Sequence, residues 1–173
     1  MRVLLLVVML LLGPIAAAAA AAAAASPPPA ALLTAALDDY SAGRFIAARG
    51  RFNALADQGS SIAETMLGVL FARGQGVTAD PATAVGYWLR AAHRGYPPAQ
   101  LALAQALAKG DGVARDRDAG WLWASLAARS GDRAVAATAQ ALASDLRRTQ
   151  PGPVAAGLDR QLAGWRPWAS AED

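Results

Sequence analysis

One block of this sequence returns after 36 residues: Gly74-Gln75-Gly76-Val77-Thr78-Ala79-Asp80 reappears as Gly110-Asp111-Gly112-Val113-Ala114-Arg115-Asp116. The same interval separates Gly59, Gly95 and Gly131, Ala63 and Ala99, Leu67 and Leu103, and the pairs Ala91-Ala92 and Ala127-Ala128. A period of this length belongs to helix-turn-helix units, each too small to bury its own apolar face and therefore stacked on its neighbours. The chain is thus constrained to an array of helix pairs, and arrays of this kind present surfaces that usually bind other proteins.

The composition agrees. Hydrophobic residues make up 55% of the 173 residues and charged residues 17%, so there is apolar matter for one core. Much of it is alanine, which buries little area and favours helix above all other residues, so closely packed helices are expected. No stretch beyond the N-terminus alternates β-branched or aromatic residues with polar ones, which excludes a sheet.

Within one period, Ser61 to Arg73 reads as a first helix with Ala63, Leu67, Leu70 and Phe71 on a shared face, and Ser61 with Glu64 fits a capping box at its start. Gly74 is placed to close that helix in the left-handed conformation, Gly76 permits a second tight bend, and Val77 can tuck into the core. Asp80 before Pro81 opens a second helix running to about Arg94, where Gly95 stops it. The next period repeats the plan with Ala99 to Lys109, the turn through Gly110 and Gly112, and a helix from Asp116 to Ser130 before Gly131. Ala30 to Ser41 and Arg44 to Gln58, joined at Gly43, form a degenerate first unit; Asp132 to Arg148 and Pro151 to Gly164 form a terminal cap.

The residues Ala63, Leu67-Gly68, Phe71, Gly74, Gly76-Val77, Asp80, Ala84, Tyr87, Ala91-Ala92 and Gly95 resemble the consensus of Sel1-like repeats, relatives of the tetratricopeptide repeat. The following unit is similar at Ala99, Leu103, Leu107, Gly110, Gly112-Val113, Asp116, Trp123, Ala127-Ala128 and Gly131, with Ala104 and Gly120 where Gly and Ala are usual. The resemblance implies an all-α, right-handed α-solenoid that scaffolds or adapts other proteins, and the stretch Trp121 to Trp165 is similar to the closing region of bacterial exported members. It divides the chain into units of about 30–59, 60–95 and 96–131 and a C-terminal cap, 132–168. It also implies that first helices of successive units line an inner surface, and the non-consensus positions there, Glu64, Thr65, Val69, Gln100, Leu101 and Gln105, become the candidate protein-binding face. Gly74, Gly76, Asp80, Gly95, Gly110, Gly112, Asp116 and Gly131 carry the repeat's own structure.

Met1-Arg2, the apolar run Val3 to Leu12, the Gly13-Pro14 break and the alanine tract Ala16 to Ala25 read as a secretory signal peptide over residues 1–25, with an uncleaved membrane anchor as the alternative. Ser26 and Pro27 to Pro29 follow as a stiff spacer. The expected location is periplasmic or secreted. The formal charge is +3, with arginines scattered and Lys109 as the one lysine, so the concentrated basic stripe of a nucleic-acid binder is missing. Absence of cysteine excludes disulfides, thiolate nucleophiles and cysteine metal sites.

Other chemistry reads weakly. The Gly-x-Gly turns lack the preceding strand and following Gly-Lys-Ser/Thr of a phosphate cradle. His93 is the only histidine and reads as a surface helix residue; Asp38-Asp39 point to different sides of a helix and suit solvation; Asp111, Asp116 and Asp118 do not match a calcium loop. No cofactor, metal or catalytic residue is expected, and no enzyme. Trp88, Trp121 and Trp123 suit packing between helix pairs, whereas Trp165 and Trp168 either cover the last helix or form a sticky patch. The expected function is an exported scaffold binding a protein partner. The alternatives are a cell-envelope adaptor holding peptidoglycan or glycan through exposed tryptophans, and a hydrolase whose site has no recognisable nucleophile and base.

Overall fold

The computed structural model describes residues 27–148 and 152–167, with backbone only for 152–155. The leader over 1–25, Ser26, Pro151 and Trp168 lie outside the described residues. Contacts divide the chain into residues 1–32 and 33–173. In the former, the described part is Pro27-Pro28 and a first helical turn, in which the Leu32 amide donates to the Pro28 carbonyl at 3.0 Å.

The described residues form eight helices and no strand: α1 (Pro29–Ser41), α2 (Phe45–Ala56), α3 (Ser61–Arg73), α4 (Pro81–His93), α5 (Pro97–Lys109), α6 (Arg117–Ala127), α7 (Arg133–Arg147) and α8 (Gly152–Gly164). From α2 to α7 each helix packs on the next, most extensively α3 on α4 and α5 on α6, and α8 packs back on α6. First helices of consecutive pairs also touch, α3 to α5 and α5 to α7. This is the all-α solenoid that the period requires.

Helix starts are fixed by side chains that satisfy the orphan amides of the first turn. Asp80 accepts from the Thr83 amide at 3.0 Å and from its hydroxyl at 2.6 Å, which holds its carboxyl below the usual range. Asp116 accepts from the Asp118 and Ala119 amides, and Asp132 from those of Ala134 and Val135. The cap of α3 differs from the sequence expectation. Ser60, not Ser61, is the cap residue, accepting from the Ala63 amide at 3.3 Å. Glu64 therefore has no place in a capping box, and its carboxylate turns inward.

The two glycines of each long turn do different work. Gly74 and Gly110 end α3 and α5 at φ 65° and 82°, in the left-handed region where a β-carbon is strained. Gly76 and Gly112, also left-handed, let the turn rest on the start of the previous unit's second helix. A β-carbon on Gly76 would stand 2.7 Å from the Phe45 carbonyl carbon, and one on Gly112 would collide with the Pro81 backbone. Since Phe45 begins α2 and Pro81 begins α4, the period holds in this contact too. It does not hold at Gly131: Gly59 and Gly95 are left-handed, Gly131 is not, and the stack passes there into its cap.

The core is correspondingly fine-grained. Ala63, Ala84, Ala91, Ala92, Ala99, Ala104, Ala124 and Ala127 are fully buried, with Phe52, Leu67, Leu70, Leu103 and Leu146 as the larger enclosed side chains.

Candidate functional site

The six residues of the expected binding face separate into two groups. Glu64, Thr65 and Gln100 are buried, which corrects their assignment to an accessible surface. The Glu64 carboxylate, 2% exposed, pairs with Arg90 Nε at 3.0 Å and with the Arg94 guanidinium, tying the start of α3 to the end of α4. Thr65 donates its hydroxyl to the Ser61 carbonyl at 2.7 Å, and its own carbonyl receives Trp88 Nε1 at 3.2 Å. Gln100 donates from Nε2 to the Ala92 carbonyl at 3.2 Å, joining α5 to the end of α4. A buried polar group without such partners would cost stability, so these positions are polar because of what they hold inside.

Val69 and Gln105 remain at the surface, and they share a cleft. With Ala72, Arg73, Trp88, Ala102, Ala106, Lys109 and Asp111 they line a shallow hollow of about 210 Å³ between α3 and α5. Leu101 is half-buried beside it in sequence without lining it. Trp88 is seated there because Gly68 leaves room: a β-carbon at Gly68 would fall inside the indole ring. The sequence signal for this seat was the Leu67-Gly68 pair, whose glycine lies in the interior of a helix with no turn to explain it.

The described tryptophans are buried or half-buried. Trp121 and Trp123 are 6% and 7% exposed, and Trp88 and Trp165 are half-buried. The Arg147 guanidinium covers the Trp121 ring at 4.7 Å while pairing with Asp159 at 2.7 Å. Trp165 meets Trp123 edge to face at 6.1 Å, and Pro167 lies where a β-carbon on Gly95 would be 3.3 Å away, so the chain after α8 returns over the α4–α5 turn. His93 is drawn into this cluster. Its ring stands edge-on to Trp123 at 5.0 Å, and burial pushes its pKa down, so it is not the open surface residue that the sequence suggests.

Asp39 is likewise not solvated. It is 5% exposed, accepts from Arg44 Nε at 2.7 Å and pairs with Arg51. Asp116 is engaged as a cap, and among the described residues no three histidine or acidic side chains gather into a metal-sized group. No described helix is long and apolar enough to cross a membrane.

Stacked helix pairs, left-handed glycine turns at a fixed interval and a cleft between successive first helices define an α-solenoid of the scaffold class. Residues 61–96 and 97–132 each match the family model described as Sel1 repeat, so the centre of the chain is built of two Sel1 repeats. Among solved structures it is similar to a protective antigen present in uropathogenic Escherichia coli strains displaying an SLR fold, at 21% identity and a TM-score of 0.70. That match covers 78% of this chain and 30% of the antigen. A Sel1 repeat protein from Oxalobacter formigenes is similar at 18% identity and a TM-score of 0.57, with 73% of this chain and 59% of the other covered. These identities speak to the fold, and this chain spans less than two thirds of either neighbour. A comparison with curated protein sequences gave no match. Sel1 repeats generally mediate protein–protein interaction, and scaffolds of the family are generally non-catalytic.

Proposed function

We propose that this chain is an exported, non-enzymatic adaptor that binds a protein partner in the cleft between α3 and α5. The observation that carries the reading is the lining of that cleft. Val69, Ala72, Trp88, Ala102 and Ala106 supply an apolar floor, Gln105 an exposed amide, and the flanking helices are the first helices of two consecutive repeats. Recognition sites combine apolar lining, which gives affinity, with placed polar groups, which give orientation, and this cleft carries both. Export rests on the N-terminal leader-like segment, and a periplasmic or secreted location follows from it.

The test is capture with a matched control. The chain is tagged and immobilised, then exposed separately to native envelope extract and to purified wall sacculi. The reading requires one enriched protein whose capture is lost in Val69→Arg/Gln105→Arg and kept in Thr138→Ala on the exposed face of α7. Capture that survives the cleft substitutions would move the site elsewhere. Retention by sacculi without a protein would instead favour the glycan-binding alternative.

A further inference from the structure

The cleft has a charge pattern that narrows what it accepts. Arg73 and Lys109 both line it, stand 36 residues apart, and are each the last residue of their helix, so the repeat places two cations along one rim. Neither has a carboxylate partner among the described residues. Arg73 donates to the Tyr40 hydroxyl at 3.3 Å, a neutral contact that leaves its charge uncompensated, and Lys109 forms no ion pair. In the same units Arg90 and Arg94 are committed to Glu64 and Arg117 to Asp145, while Arg115 and Arg129, outside the cleft, form no ion pair among the described residues. Asp111 is the one acid in the lining and leaves the cleft a net positive charge. Cations near a helix C-terminus also interact favourably with its dipole, but that effect does not require the two to share a hollow with an apolar floor.

We infer that the cleft receives an acidic segment of its protein partner, an extended stretch in which a carboxylate lies against Arg73 and Lys109 while an adjacent aliphatic side chain rests on Val69, Trp88 and Ala102. The inference deepens the proposed function and depends on it. Complementary charge at a rim fixes the register of a bound segment and speeds encounter, while the apolar contact supplies holding energy. Because the cations are at the surface, binding weakens as salt shortens the reach of their field.

Fluorescence anisotropy on the full chain tests this with three labelled ten-residue peptides: alternating Glu and Leu, alternating Lys and Leu, and alternating Glu and Ser. The Glu/Leu peptide is expected to bind, and to bind less tightly at higher salt. In the double variant Arg73→Glu/Lys109→Glu its affinity falls roughly fivefold or more, the scale of two exposed charge pairs removed and reversed, and the preference shifts toward the Lys/Leu peptide. Both side chains are exposed, and an unchanged melting temperature confirms that the variant folds. Equal binding of the Glu/Leu and Lys/Leu peptides, lost in Val69→Arg/Gln105→Arg, overturns the acidic preference while leaving the cleft as the binding site. Failure of the Glu/Leu peptide to bind at all overturns the inference, and the capture experiment then decides separately whether the cleft binds protein.

Discussion

The two complete repeats, α3–α4 and α5–α6, share a backbone plan and fill it differently. Where the first has Glu64 held by Arg90 and Arg94, the second has Gln100, with Leu126 and Ser130 at the positions of the arginines. Lacking cations, Gln100 turns its amide to the Ala92 carbonyl instead. Where the first has Gly68 beneath Trp88, the second has Ala104 and Ala124. The small residue moves as well: Ala84 in the first unit becomes Gly120 in the second, 3.3 Å short of the Ala104 carbonyl oxygen if a β-carbon were added. The turn glycines, by contrast, are the same in both. Backbone conformation and close approach leave one choice of residue, whereas interior side chains can be exchanged provided that the partners change together.

The sharpest break of that comparison is at the glycines common to both units. Gly112→Val puts a branched side chain at φ 70° and against the Pro81 backbone, so the left-handed strain and the overlap add to about 3–5 kcal/mol, read as a lowered denaturation midpoint. Gly74→Val, with its nearest neighbour at 3.2 Å, costs less but still more than about 1 kcal/mol. Gly43→Ala, left-handed with nothing within 4 Å, isolates the conformational part at about 1 kcal/mol. If Gly112→Val were no worse than Gly43→Ala, the turn would not be resting on α4.

The next effect concerns the polar interiors. Glu64→Ala strands two arginines, but these are 50% and 34% exposed and can turn to water, so the loss is about 2 kcal/mol, below that of a fully buried broken pair. Gln100→Glu makes the reverse error, burying a carboxylate where Leu126 and Ser130 offer no charge, and is expected to cost at least as much. Urea midpoints of the two variants test this; a neutral Gln100→Glu would show that the second unit also has a cation within reach.

A smaller effect is the coupling of Gly68 to Trp88. Gly68→Ala alone overlaps the indole and Trp88→Ala alone leaves a cavity, while the double variant copies the Ala104/Ala124 pair of the next unit. A double-mutant cycle is expected to show the pair less damaging than the sum by about 1–2 kcal/mol. Additivity would mean that the two repeats do not exchange this contact as a set.

What the sequence made legible follows the same division. The period, the helix-closing glycines and the caps at Asp80 and Asp116 could be read directly because each is satisfied within a few residues of itself. Local reading failed at Glu64, since a Ser-x-x-Glu pattern has the spacing of a capping box whether or not the acid is pulled inward by arginines on the next helix. It failed at Gly131, which recurs at the right interval but is not left-handed, because the stack passes there into its cap. Half of the candidate face was misplaced for a related reason. Departure from a consensus marks inward positions such as Thr65 and Gln100 as readily as outward ones such as Val69 and Gln105, and only the packing of α3 against α4 and α5 tells them apart.

His93 gives the smallest effect and the longest-range one. Its neighbours in sequence suggest an open helix surface, but Trp123 stands edge-on to its ring and Trp165, returning from the end of the chain, closes on Trp123. Burial lowers the His93 pKa from 6.5, so between the lowered value and 6.5 the unfolded chain binds the proton more readily than the folded one. Its contribution is fully present above about pH 6.5 and is lost as pH falls through the lowered pKa. The melting temperature of the wild type is therefore expected to drop slightly more between pH 7 and pH 5 than that of His93→Phe, which has no proton to gain. The difference should shrink in a second pair of proteins both carrying Trp165→Ala, because opening the cluster to water returns the histidine toward its ordinary pKa. Equal acid sensitivity of wild type and His93→Phe would separate His93 from the closing of the C-terminal segment and leave Trp165 on Trp123 as an apolar contact alone.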